Sequence, residues 1–383
     1  MKFKKITLIK ITKLNFRLFL KIVFIISYLI LKLTKIIKLN FLKYITSFFL
    51  FILFVCQLNS QTKNSIDNIN DGPYVLIKKK KLVEKRIVNG KVFSKDLSLD
   101  QYKIEYPPEK SYYKNVSKIV CISDIHGQYD LALNILKNNK IIDDNLKWNF
   151  GDGHMVIVGD IFDRGDKVTE LLWFVYYLEE QAKKAGGKVH YLLGNHEYMV
   201  LENDLRYIHK KYEKTTELLG RTITDLFDKN TVLGRWLRSK STILKIDDKI
   251  FVHGGLSKKF IDNEDYSIEK SNDFLREWLE KPMFRSRSVL FDYKKHLGPD
   301  GPLWYRGYFF DNLNETHIDS ILTKNSVNHI IVGHTTNRKI LKFYNKKIIN
   351  VDSNIKTGNY GELLLIEKNS FSRLTSYGKK IEL

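Results

Sequence analysis

Along most of the chain, apolar and polar positions alternate in two periods. Short β-branched runs end in glycine, aspartate or histidine: "KIVCISDIHG" from residue 118, "MVIVGDIFDRGD" from 155, "VHYLLGNHE" from 189, "KIFVHGG" from 249 and "HIIVGHT" from 329. Runs of this kind predict buried strands. Between several of them lie helical stretches such as "QYDLALNILKNN" and "KVTELLWFVYYLEEQAKKAGG", the second stopping at Gly186-Gly187. Strands alternating with helices predict an α/β fold whose chemistry sits in loops at the strand ends. The aromatic stripe "LLWFVYYLEE" reads as helix packing.

Upstream the pattern differs. Residues 74–97 have strand character, and Asn89-Gly90 suits a two-residue type I′ hairpin turn. The run Lys78 to Lys81 within it reads as a solvated face. "QTKNSIDNINDGP" before it is a polar, turn-rich linker, and "EYPPEKSYY" after it is a rigid break. The expected organisation is residues 1–61 as an export signal or membrane anchor, 62–115 as linker and β-hairpin extension, and 116–383 as the main domain.

Charge sharpens the reading of the first segment. The net charge is +21, and twelve of those charges lie in residues 1–66, which hold eleven lysines, one arginine and no acid. The remaining +9 forms no aromatic-interleaved basic stripe, so no nucleic-acid partner is expected. The apolar stretch at residues 48–56, "FFLFILFVC", follows this basic leader and is short for a spanning helix of about 20 residues. Its length favours a signal peptide over an anchor, although residues 22–31 form a second apolar run. The expected location is exported, periplasmic or extracellular, with membrane contact if the segment stays uncleaved. Two cysteines, Cys56 and Cys121, exclude a disulfide framework in the processed chain; Cys121 reads as a buried strand thiol.

The strand ends carry the candidate chemistry. They supply Asp124 and His126, Asp160, Asn195 and His196, His253, and His334. Taken singly, such a residue is more often a cap, turn or hydrogen-bond partner than a ligand. Five such loops together point to a metal site, and carboxylate, imidazole and amide oxygen suit Mn, Fe or Zn. His190 and His329 sit in strand-like runs and read as core or edge residues. His154, His209, His296 and His317 have no convincing motif.

The motifs "DIHG", "GDIFDRG", "GNHE", "VHGG" and "GHT" resemble those of the calcineurin-like metallophosphoesterases from about residue 118 to the C-terminus. That resemblance implies a four-layer α/β/β/α sandwich with mixed sheets and a loop-borne dinuclear metal site. It implies Asp124, His126 and Asp160 on a first ion, and Asp160, Asn195, His253 and His334 on a second. Many phosphodiesterases of the superfamily end in Gly-His-x-His, and here the second histidine is replaced by Thr336. With "GDIFDRG" and "GNHE" this resembles the PPP-type phosphatases, and "NDLRYIHKKY", "IFVHGGLS" and "GPLWYRGY" resemble their Shewanella-like, bacterial-type branch. Two departures stand out: Ser123 replaces a common glycine, and "VDSNI" lacks a late-loop glycine.

The implied activity is metal-dependent hydrolysis of phosphate monoesters, of phosphoproteins or small phosphoesters, by attack of a metal-bridging hydroxide. His196 would protonate the leaving group with Asp163 orienting it, and Arg164 and Arg306 would bind the phosphate. For Arg306 a surface salt bridge or a loop anchor is the competing reading. A phosphodiesterase, nucleotidase or dinucleoside polyphosphate hydrolase on the same site is the alternative activity, and a phosphate-recognising module without turnover is the non-enzymatic one.

Overall fold

The computed structural model describes residues 20–29, 48, 69–280 and 293–383. The chain divides into two units, Met1–Asp67 and Asn68–Leu383. In the first unit residues 20–29 are helical, while the apolar run at 49–56 and a signal-cleavage site lie outside the described residues. Among the described residues no helix is long and apolar enough to cross a membrane.

The second unit begins with a three-stranded antiparallel meander, β1 (Asp71–Ile77), β2 (Leu82–Val88) and β3 (Lys91–Leu97). Asn89 and Gly90 both have positive φ, 49° and 68°, as a type I′ turn demands. The expected hairpin is thus one strand larger. Lys78 to Lys81 form the exposed β1–β2 turn, closed by Lys78 N–H to the Lys81 carbonyl at 2.9 Å, rather than a strand face.

Two six-stranded mixed sheets follow. One is ordered β15 (Lys380–Glu382), β14 (Ser370–Thr375), β13 (Glu362–Glu367), β5 (Lys118–Ile122), β6 (His154–Ile157) and β7 (Lys188–Tyr191). The other runs β11 (Leu341–Phe343), β12 (Ile348–Asn350), β10 (His329–Val332), β9 (Lys249–Val252), β8 (Ile243–Ile246) and β4 (Tyr112–Tyr113). Side chains alternate across each strand. Ile119, Cys121 and Val156 therefore face Leu244, Phe251, Ile331 and Ile349 in an inter-sheet core. Val120, Ile122 and Ile157 face outward onto Ile135, Leu171 and Leu172 of the helices Tyr129–Asn138 and Val168–Lys184. On the other side Ile250, Val252 and Ile330 meet Ile318, Ile321 and Leu322 of the helix Glu315–Asn325. This is the expected four-layer α/β/β/α sandwich.

No break falls after residue 115. Because β4 pairs with β8, the second sheet already includes Tyr112 and Tyr113. The meander is bound into the same unit by Ile77 N–H to the Asn230 carbonyl at 2.6 Å and by Trp173 Nε1–H to the Pro73 carbonyl at 2.7 Å. Asp71, 5% exposed, accepts hydrogen bonds from Tyr74 and Thr215, both at 2.7 Å. Leu82 and Ile87 belong to the main apolar core.

Candidate metal and phosphate site

All five chemistry-bearing loops leave the C-terminal ends of β5, β6, β7, β9 and β10. In each sheet the strands concerned run parallel to their neighbours, β5–β6–β7 and β9–β10, so the loops emerge on one side. Their backbones are tightly bent. Asp124, His126, Asp160, Asp163, Arg164 and His334 all have φ between 48° and 69°, a left-handed conformation that costs roughly 1 kcal/mol or more per non-glycine residue. Glycines permit the close approach of these loops. A Cβ on Gly194 would meet Asp160 Oδ1 at 2.3 Å, and one on Gly333 would meet Ser123 Oγ at 2.0 Å.

Glu197, 0% exposed, fixes two loops at once. Its Oε1 accepts from Ile161 N–H at 2.7 Å and Phe162 N–H at 3.2 Å, and its Oε2 accepts from Asp160 N–H at 2.9 Å and Gly194 N–H at 2.6 Å. The motif "GNHE" contains this glutamate but does not show its task, because its partners are backbone groups with no side-chain signature.

Of the ten predicted site residues, Asp124, His126, Asp160, Arg164, Asn195, His196, Arg306 and His334 line one cavity of 170 Å³. His253 and Asp163 lie immediately behind it, at 0% and 2% exposure. Two groups could each hold a cation: His126, Asp160 and His196, and Asp160, His253 and His334. Asp160 is common to both, the arrangement expected of a bridging ligand. His253 Nε2 lies 2.9 Å from Asn195 Oδ1 and 3.1 Å from Asp160 Oδ2, so three donor atoms converge.

Orientation of the imidazoles fits metal binding. His126 Nδ1 is bound to the Phe162 carbonyl at 2.7 Å and His253 Nδ1 to the Val158 carbonyl at 2.7 Å, which directs each Nε2 inward. His334 Nε2 is buried with no hydrogen-bond partner, a state that costs about 1–3 kcal/mol and that a bound cation relieves. Asp124 differs from expectation in its contacts: Oδ2 accepts from His334 N–H at 2.9 Å and from Ser123 Oγ at 2.5 Å, so Ser123 is a partner rather than a neutral replacement for glycine.

The electrostatics follow from burial and crowding. Burial pushes the Asp160 carboxyl up, but His253, His196 and His126 together hold it well below the usual carboxylate range. Burial lowers His253, yet Asp160 and then Asp124 raise it to about 10. Burial pushes His126 down to about 3 and His334 well below the ordinary value.

His196 Nδ1 sits 2.5 Å from Asp163 Oδ2, and its backbone N–H donates to Asp160 Oδ1 at 3.0 Å. Burial lowers its pKa, but Asp160 and Asp163 outweigh this and raise it. Arg164 Nη2 lies 3.4 Å from His196 Nε2, and its guanidinium lies 5.1 Å from the Tyr207 ring centroid. Arg306 Nη1 donates to the His334 carbonyl at 2.8 Å while lining the cavity, so it anchors a loop and faces the site at once. Tyr207, Trp304, Thr336 and Lys356 complete the lining; of these the sequence singles out only Thr336, as the replacement for a second histidine. Thr336 donates to Asp352 Oδ2 at 2.8 Å. Within "VDSNI", Asn354 adopts φ 67°, a left-handed conformation that asparagine takes more readily than most residues other than glycine.

His154, His190 and His329 serve the packing of the fold. His190, 1% exposed, shares a 2.9 Å contact with His154, and His329 Nδ1 bonds to the Lys346 carbonyl at 2.8 Å.

Comparison with known proteins matches this architecture. The profile of the calcineurin-like phosphoesterases covers residues 117–337. The chain is 25% identical over 314 residues to Shewanella-like protein phosphatase 2 of Arabidopsis thaliana, covering 69% of this chain and 78% of that protein. It is 25% identical over 289 residues to Shewanella-like protein phosphatase 1 of Plasmodium berghei, covering 70% and 76%. Among solved structures, the cold-active protein-tyrosine phosphatase of a psychrophilic Shewanella species is 40% identical, covers 82% of this chain and 99% of that one, and superposes with a TM-score of 0.77. Sandwich, loops and relatives agree that the chain belongs to the calcineurin-like phosphoesterase family, as a metal-dependent phosphatase of the PPP type.

Proposed function

We propose that the chain is a protein phosphatase working with two divalent ions, drawn from Mn, Fe and Zn, and that phosphotyrosyl proteins are its preferred substrates. The observation that carries this reading is the cavity itself: two cation-capable groups share Asp160, and Arg164, Arg306 and the His196–Asp163 pair face the same space. By the family resemblance Asp124 would hold one ion with His126 and Asp160, in place of the His196 that the geometry groups with those two, and Asp160, Asn195, His253 and His334 would hold the other. When bound, the ions supply water activation and a positive field at the phosphoryl oxygens.

The chain's own residues do the rest. The two guanidiniums give forked donors to phosphate oxygens and favour charge that develops there. His196 delivers a proton from Nε2 to the leaving oxygen, with Asp163 holding its ring. His196 also lies within ligand reach of the first group, but a guanidinium 3.4 Å from Nε2 is a poor neighbour for a bound cation. Thr336, tied to Asp352, stands where the diesterase pattern has a histidine, which supports monoesters. The tyrosine preference rests on the name of the 40% identical structure.

The test is to assay the full chain, with each metal, on phosphotyrosyl and phosphoseryl peptides, a bis-aryl phosphodiester and a dinucleoside polyphosphate. Monoester hydrolysis abolished by chelation, fastest on phosphotyrosine, is expected; cleavage of the diester or polyphosphate alone overturns the reading. The acid-free leader further supports export, checked by finding the protein outside the cytosolic fraction.

A further inference from the structure

The cavity rim carries a cation that the chemistry above does not use. Lys356 lies on the one-turn 3-10 helix Ile355–Thr357 between β12 and β13. Its Nζ donates to Thr336 Oγ1 at 2.5 Å, and that hydroxyl donates onward to Asp352 Oδ2 at 2.8 Å. The pedestal is firm. Ile355 is 0% exposed beneath it, Gln128 Nε2 donates to the Lys356 carbonyl at 3.2 Å, and Asn354 N–H donates to Asp352 Oδ1 at 3.0 Å. An ammonium has three donors, of which Thr336 takes one.

Its surroundings separate it from the two arginines. Arg306 grips the carbonyl of His334 and feels Asp124, Asp352 and Asp160, while Arg164 stands beside His196. Lys356 acts on Asp352 and is tethered to the residue two beyond His334. The arginines thus stand nearest the proposed ligands and would meet the reacting phosphate, and Lys356 offers a pre-set positive charge to whatever else the substrate places on the rim. A side chain held in place before binding loses little freedom on meeting its partner.

We propose that Lys356 determines specificity by receiving a second anionic group of the substrate, the carboxylate of an acidic residue flanking the phosphorylated one. This rests on the protein-phosphatase reading above. Lys356 is a side chain of this chain's own late loop, and its hydrogen bonds go to Thr336 and Gln128 rather than to a proposed metal ligand.

The test uses the metal-loaded full chain, as wild type, Lys356→Gln and Lys356→Arg. Substrates are two phosphotyrosyl peptides differing only in flanking Glu or Gln, with p-nitrophenyl phosphate as a flank-free control. Binding of the matching non-hydrolysable phosphonate peptides is measured alongside. Wild type should prefer the acidic peptide about fivefold in kcat/KM, through KM, as befits a partly exposed ion pair. Lys356→Gln should erase the preference and leave p-nitrophenyl phosphate within about twofold, and Lys356→Arg should keep it. Equal losses on all three substrates would assign Lys356 merely to balancing Asp352 and overturn the proposal, as would a preference that survives Lys356→Gln. If no monoester is hydrolysed, the protein-phosphatase reading fails, and the phosphonate binding still reports whether Lys356 senses the flanking charge.

Discussion

Replacing Glu197 by glutamine removes one charge and almost no volume from the point where two site loops meet. The carboxylate receives four backbone N–H groups, two on each oxygen. A glutamine can accept on one oxygen only, and its NH₂ would face the other two donors. Two bonds to a charged group are lost, at about 1.5–3 kcal/mol each, so the cost is about 3–6 kcal/mol. That is a large part of the about 5–15 kcal/mol that holds a typical domain together. At about 2 °C per kcal/mol for a domain of this size, Tm should fall by about 6–12 °C. Because Asp160 lies on one of the released loops, metal content should fall in the same variant. Calorimetric or spectroscopic melting of Glu197→Gln, with metal analysis of the folded protein, reads both effects. A Tm within about 1 °C of wild type and full metal retention would refute the claim that Glu197 clamps the loops.

Other consequences are independent of that clamp. His196→Asn should lower kcat by about 10²- to 10⁴-fold while metal content stays unchanged; loss of metal in proportion to activity would make His196 a ligand instead. Lys240 is 1% exposed between Glu109 and Glu179, both at 2.6 Å, so Lys240→Met should cost about 3–5 kcal/mol by urea unfolding, and additional Glu109→Gln and Glu179→Gln changes should restore part of it. His253, raised to about 10, is protonated in the metal-free protein near pH 8 and must lose that proton to become a ligand. Metal affinity should therefore rise with pH up to about 10, and titration calorimetry at pH 8 in buffers of different ionisation enthalpy should show about one proton released on His253's account, a release that His253→Asn lacks.

The strand ends were legible because each couples a local pattern to a distinctive residue. "KIVCISDIHG" announces both a buried strand and its aspartate, and all ten named side chains meet in or behind one cavity. Less was readable where the partner is remote or carries no side-chain signal. Three of the four backbone groups that Glu197 binds lie 35 to 37 positions away. Lys356 reaches the site only because β12 lies beside β10 in the sheet, bringing the loops after both strands together. Two-residue β4 is too short to show a period, and it obscured the link between the extension and the second sheet. The Gly72-Pro73 pair reads as a turn, which masked the first residues of β1.

The phosphatase site proposed here is built around two ions that share Asp160. Metal-free protein titrated with Mn²⁺, with phosphate release from a phosphotyrosyl peptide followed at each addition, tests it most directly. Activity should be absent at the start and level off at two equivalents per chain, and His334→Ala should bind one equivalent fewer. Hydrolysis at full rate without metal, or a plateau at one equivalent with His334→Ala unchanged, would contradict the account.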